Sequence, residues 1–110
     1  MVVVHDSNII PEIAWDESDK DFLWFVWDEV LHGSSLATST WTIPAGWTSH
    51  SVQFNASVTD PQTGKVYNSA NSIFLSTGGA ASGIYQIKNN VVLADSREYS
   101  RTVTINIIDL

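Results

Sequence analysis

The stretch Asp21-Phe22-Leu23-Trp24-Phe25-Val26-Trp27-Asp28 sets six large apolar residues in a row between two carboxylates. At about 3.3 Å per residue, six positions make one strand, and they fall far short of the roughly 20 residues that span a bilayer. Alternate side chains of a strand leave opposite faces, so Leu23, Phe25 and Trp27 share one face and Phe22, Trp24 and Val26 the other. Both faces are apolar. The core of a sandwich accounts for one of them. The second needs another cover, supplied either by the chain's own N-terminal segment or by a different protein. This surplus of apolar surface points to binding rather than to chemistry.

Beyond this strand, a turn around Gly33 leads to a second strand over residues 36–43. Ala37, Ser39, Trp41 and Ile43 lie on one face, and Thr38, Thr40 and Thr42, whose branched Cβ suits the pleat, on the other. Pro44-Ala45-Gly46 closes it. Residues 50–59 alternate more cleanly than any other segment, with Val52, Phe54, Ala56 and Val58 expected inward. Asp60-Pro61-Gln62-Thr63-Gly64 reads as a turn, because proline presets φ and glycine supplies positive φ, so residues 65–68 return antiparallel. A short strand over 72–76 runs into the tiny residues of 77–83. Strands over 84–93 and 99–108 complete the chain; Asn89-Asn90 marks a bulge or turn in the first, and Tyr99, Arg101, Val103, Ile105 and Ile107 share one face of the second. Seven or so strands at turn intervals of about 8 to 12 residues predict an all-β, two-sheet antiparallel sandwich. No window carries a sustained helical period.

On the N-terminal side, residues 2–4 and 9–15 read as short extended pieces, with Pro11 barred from a central ladder position. Residues 16–20 form a charged connector. The expected division is an extended acidic N-terminal arm, 1–19, followed by a sandwich domain, 20–110. A chain of 110 residues makes one domain with a core that needs no disulfides, and it contains no cysteine. The first residues lack a basic region, and their apolar run is too short for a secretory signal, so the chain is expected to fold where it is made. The net charge of −7 is unevenly placed. Through His32 there are eight carboxylates against Lys20 alone, whereas Asp60, Asp95, Glu98 and Asp109 balance Lys65, Lys88, Arg97 and Arg101. Such a surface repels phosphates, so nucleic acid is not an expected partner.

Candidate chemistry is sparse. A calcium site at Asp16, Glu17 and Asp19 has the carboxylate density but lacks the glycine-turn spacing of a recognised loop. His5, His32 and His50 fall in separate elements, with no short spacing that would make a zinc site. Nothing resembles a nucleophile elbow, Asp16 and Asp19 share one connector rather than opposing each other across a cleft, and Gly78-Gly79 lacks the lysine and helix of a phosphate loop. No catalysis and no cofactor are expected. Of the five tryptophans, Trp41 points the same way as Ile43 and belongs to the core. Trp15, Trp24 and Trp47 remain candidates for anchoring a partner protein or stacking on sugar rings.

From about residue 21 the order of pieces resembles a family of small immunoglobulin-like proteins encoded among the structural genes of tailed bacteriophages. The likeness is carried by the strand ending Trp27-Asp28, by Ala37-Thr38-Ser39-Thr40-Trp41-Thr42-Ile43-Pro44-Ala45-Gly46, by Phe74-Leu75-Ser76 with its glycine-rich loop, by residues 84–90 and by residues 97–107. It covers roughly four-fifths of the chain, and Ser-Thr-Trp-Thr-Ile-Pro-Ala-Gly is its most specific part. The resemblance implies an immunoglobulin-like sandwich carried on the virion, assembled in the host cytoplasm, with no membrane partner. The leading expectation is a capsid decoration, or cement, protein bound to the major capsid protein, stabilising the lattice by mass action at each site. Phe22, Trp24 and Val26 would form the dry centre of that contact, with Trp15 and Trp47 as further partner-binding candidates. Asp16, Glu17, Asp19 and Asp21 would supply rim charge against a basic patch. The alternatives are a neck, tail or baseplate accessory, a host-surface glycan-binding module, or a homo-oligomer in which residues 2–4 pair with a neighbour's sheet edge.

Overall fold

A computed structural model of the chain describes residues 2–4, 12–16 and 19–108. Among these residues, eight strands and one helical turn follow in order: β1 (Val2–Val4), β2 (Glu12–Trp15), β3 (Lys20–Val26), α1 (Asp28–Leu31), β4 (Leu36–Thr42), β5 (Thr48–Thr59), β6 (Val66–Ser76), β7 (Gly83–Leu93) and β8 (Glu98–Ile107). They form two four-stranded sheets, β1-β3-β6-β5 and β2-β8-β7-β4, packed as an immunoglobulin-like sandwich. The expectation of purely antiparallel sheets is corrected at the N-terminus. β1 runs parallel to β3, with Val3 beside Trp24, and β2 runs parallel to β8, with Ile13 beside Ile105. Parallel neighbours need a crossover between them, and the chain provides one by visiting the opposite sheet before it returns. The described parts of the N-terminal arm are therefore edge strands of the sandwich.

The alternation read from the aromatic stretch sets the core. Leu23, Phe25 and Trp27 are buried between the sheets with Ile73 and Leu75, facing Ile87, Val91, Leu93, Val103, Ile105 and Ile107. Asn89 also points inward, and strand β7 runs through it without a break. Its side chain is satisfied within the core: Oδ1 accepts from Trp27 Nε1 at 2.9 Å and from Asn71 Nδ2 at 3.1 Å. Its Nδ2 donates to Ser39 Oγ at 2.8 Å and to the Thr40 carbonyl at 3.2 Å. Asn71 Nδ2 also reaches Ser39 Oγ at 3.1 Å. This network ties the two sheets together through the core, and the Arg101 guanidinium lies 5.1 Å above the Trp27 ring.

The turn after β3 is a single helical turn, ended by His32 at φ 44° and Gly33 at φ 87°. Asp28 fastens its start to β6 by accepting from the N–H groups of Asn68 and Ser69 at 3.0 and 2.9 Å. Arg97 fastens its end, donating to the carbonyls of Val30 and Leu31 at 3.2 and 2.6 Å. The 60–64 turn forms as expected, with the Gly64 N–H on the Asp60 carbonyl at 2.8 Å and Gly64 at φ 76°. The return segment is one unbroken strand, β6, rather than two short ones.

β5 differs most from its sequence pattern. Ser51 and Asn55 both sit at φ 53°, and the pairing to β6 shifts register around each. Every such bulge adds an unpaired residue and resets which face the next side chains take. Val52 and Phe54 therefore line the edge facing β4, whereas Ala56 and Val58 pack on the outer side of the sheet.

Candidate partner-binding surfaces

The second face of the aromatic strand is largely covered by the chain itself. Trp24 is 8 % exposed and Val26 3 %, in a small outer core with Val3, Val58, Tyr67 and Ala70. The N-terminal segment contributes Val3 to this cover, and the twisted β5–β6 hairpin contributes the rest. Of the two covers expected for this face, the chain's own is thus in place over Trp24 and Val26, which corrects the expectation that these two form the dry centre of a contact. Phe22 remains half-buried, in an edge-to-face contact with Phe74 at 4.9 Å between ring centroids. His50 stacks on the other side of Phe74 at 4.5 Å, which makes a row of three rings across β3, β6 and β5.

Trp15 and Trp47 are also placed inside. Their rings stack at 6.4 Å in the main core, and Trp47 meets Tyr85 at 5.3 Å. Neither presents a free face to a partner or a sugar, because β2 brings Trp15 into the sandwich and the turn after Pro44 folds Trp47 over it. Trp41 packs against the core as expected, 5.3 Å from the Phe25 ring. The two described ends of the acidic connector bond to each other: the Asp16 N–H donates to Asp19 Oδ2 at 2.9 Å, and the Asp19 N–H to the Asp16 carbonyl at 3.0 Å. Asp21 Oδ1 accepts from the Phe22 N–H at 2.7 Å. Asp16, Asp19 and Asp21 lie together at the end of the sandwich where β3 begins. Glu17, His5 and Pro11 lie outside the described residues. Among the described residues, no three His, Asp or Glu side chains converge as a metal site requires.

One carboxylate is tuned by its neighbours. The backbone N–H of Arg97 at 3.1 Å, followed by its guanidinium at 2.8 Å, holds the Asp95 carboxyl below its ordinary range. Asp95 in turn raises the Arg97 guanidinium. The pair stiffens the turn that carries the clamp on α1.

The surface that the sequence pattern did not reveal is the long side of the sandwich. β5 is the edge of one sheet and β4 the edge of the other. Between them lies an open cleft of about 310 Å³ lined by Ala37, Thr38, Ser39, Val52 and Phe54. Val52 is 57 % and Phe54 45 % exposed, although regular alternation would bury both. The available signal was electrostatic: no Asp, Glu, Lys or Arg occurs between His32 and Asp60. A second groove, about 530 Å³, crosses the outer face of β4 and β7 past Thr42, Ile84, Gln86 and Lys88.

Solved structures share this architecture. The cysteine protease inhibitor EhICP2 from Entamoeba histolytica superposes with a TM-score of 0.59 over 97 % of this chain and 94 % of that one, at 13 % identity. The solution structure of amebosin superposes with a TM-score of 0.53 over 97 % of each chain, also at 13 % identity. At that identity the likeness defines a class by fold alone: a small immunoglobulin-like β-sandwich. No curated protein matches in sequence. Residues 16–106 match the family Gp77, described as podophage GP4 fiber-tail adaptor protein gp77, and the chain belongs to that family. It is a bacteriophage structural protein and a component of the virion.

Proposed function

We infer that this chain is a tail accessory that joins a fibre to the tail of a podophage particle, rather than a decoration of the capsid lattice. The observation that carries this reading is the family match over residues 16–106, whose description names the tail and the fibre. It favours the tail alternative over the capsid expectation. The fold is compatible with an adaptor, since a sandwich tied across its middle by Asn71 and Asn89 is a stiff spacer whose edges and ends remain available to separate neighbours. In this reading its partners are other virion proteins, and its work is binding without catalysis.

Particles assembled without this chain test the idea. They are expected to have filled heads of unchanged heat resistance and to lack fibres, with the chain present in wild-type particles at tail rather than lattice copy number. Fibre-bearing particles whose heads become sensitive to heat and low salt would return the protein to the capsid.

A further inference from the structure

The two long sides of the sandwich are closed differently. On one side the edges are β1 and β2, only three and four residues long. On the other they are β4 and β5, seven and twelve residues long. Exposed edges are normally blunted by shortness, charge, proline or bulges. β5 has its bulges at Ser51 and Asn55. β4 keeps regular register against β7 from Thr38 to Thr42 and, among the described residues, has a pairing partner on that side only, with no charge and no proline along it.

We propose that the free edge of β4, together with the cleft formed by Val52 and Phe54, is a strand-addition site for an extended, uncharged segment of a partner virion protein. The unpaired N–H and C=O groups of β4 supply a ladder, and only a strand satisfies them in series. A strand laid there sends every second side chain toward Val52 and Phe54. The cleft of about 310 Å³ takes a few such side chains, whereas a helix about 10 Å across does not fit beside the ladder. Charge selects the occupant. The lining carries no ionised group to pair with, so a charged residue directed into it would be desolvated without compensation. A second copy of this chain would bring −7 against −7, whereas a neutral segment of another protein meets no such repulsion. The adaptor reading enters only in making the partner a virion protein; the chemistry of the groove stands apart from it.

Hydrogen exchange on the free chain and on assembled particles is the test. The outward-pointing amides of residues 38–42 are expected to exchange at least tenfold more slowly in particles than in the free monomer. Phe54→Lys, at an exposed position, is expected to keep the parental melting temperature and to lose at least tenfold in incorporation, whereas Phe54→Leu incorporates normally. Unchanged exchange at these amides in particles overturns the proposal, as does normal incorporation of Phe54→Lys. Protection that rises with concentration in the free chain, together with a dimer in sedimentation, also overturns it and makes a second copy the occupant. If absence of the whole chain leaves fibres in place while these amides are still protected, the adaptor role fails and the strand site survives.

Discussion

Asn89, which residue order marks only as part of a bulge or turn, is a buried side chain on which four hydrogen bonds converge. Its value lies in what its loss would strand, because the buried Trp27 Nε1 would lose its acceptor and Asn71 Nδ2 would keep only Ser39 Oγ. Asn89→Leu is expected to destabilise the fold by about 2–4 kcal/mol, read from the shift of a urea midpoint at constant slope. Asp95 yields a pH prediction. Its folded pKa is depressed, so its contribution is present above the unfolded carboxyl value and fades as pH falls through the lower folded value. The stability gap between the parent and Asp95→Asn should therefore be open at neutral pH and close in strong acid, as thermal melts across pH would show. Trp24 is the residue whose role changed most. Buried against Val3, Val58 and Tyr67, it is expected to behave as core, and Trp24→Ala should cost about 3–5 kcal/mol in denaturant unfolding.

β5 shows why alternation misleads at the scale of an element. The apolar residues of 52–58 are evenly spaced, but even spacing specifies one face only if no residue is inserted. Ser51 and Asn55 each enter the left-handed region and reset the faces. Asn tolerates that region better than β-branched residues do, and glycine better still. Asn55→Val is expected to lose about 1–2 kcal/mol, whereas Asn55→Gly should be close to neutral, a contrast that thermal unfolding measures directly. α1 is local in a different sense. Four residues do not hold a helix by themselves, and this turn persists because Asp28 and Arg97 bond its two ends to β6 and to the turn before β8, both far away in sequence.

For the whole molecule, the question is whether residues 1–19 are an appendage. β2 delivers Ile13 and Trp15 to the main core, and β1 delivers Val3 to the outer one. Removing residues 1–15 is therefore expected to abolish or sharply lower the cooperative thermal transition; a well-dispersed amide spectrum with an unchanged midpoint would show that residues 20–110 suffice. Charge is divided along similar lines. Asp16, Asp19 and Asp21 stand where β3 begins and Asp28 and Glu29 where it has ended, while β4 and β5 carry no Asp, Glu, Lys or Arg, so the molecule has an uncharged long side.

Because side-chain periodicity and turn chemistry are local properties, most strands, the Asp60–Gly64 turn and the inward set Leu23, Phe25 and Trp27 were readable from residue order, though not the continuity of β6. Membership in a phage virion family was readable too, through short matched stretches. The parallel pairing of β1 with β3 and of β2 with β8, the burial of Trp15, Trp24 and Trp47, the bonding of Asn89 and the exposure of Val52 and Phe54 were not. Each depends on which distant segment comes to lie alongside. In this chain that was settled by crossovers and bulges, which leave no periodic trace in the sequence.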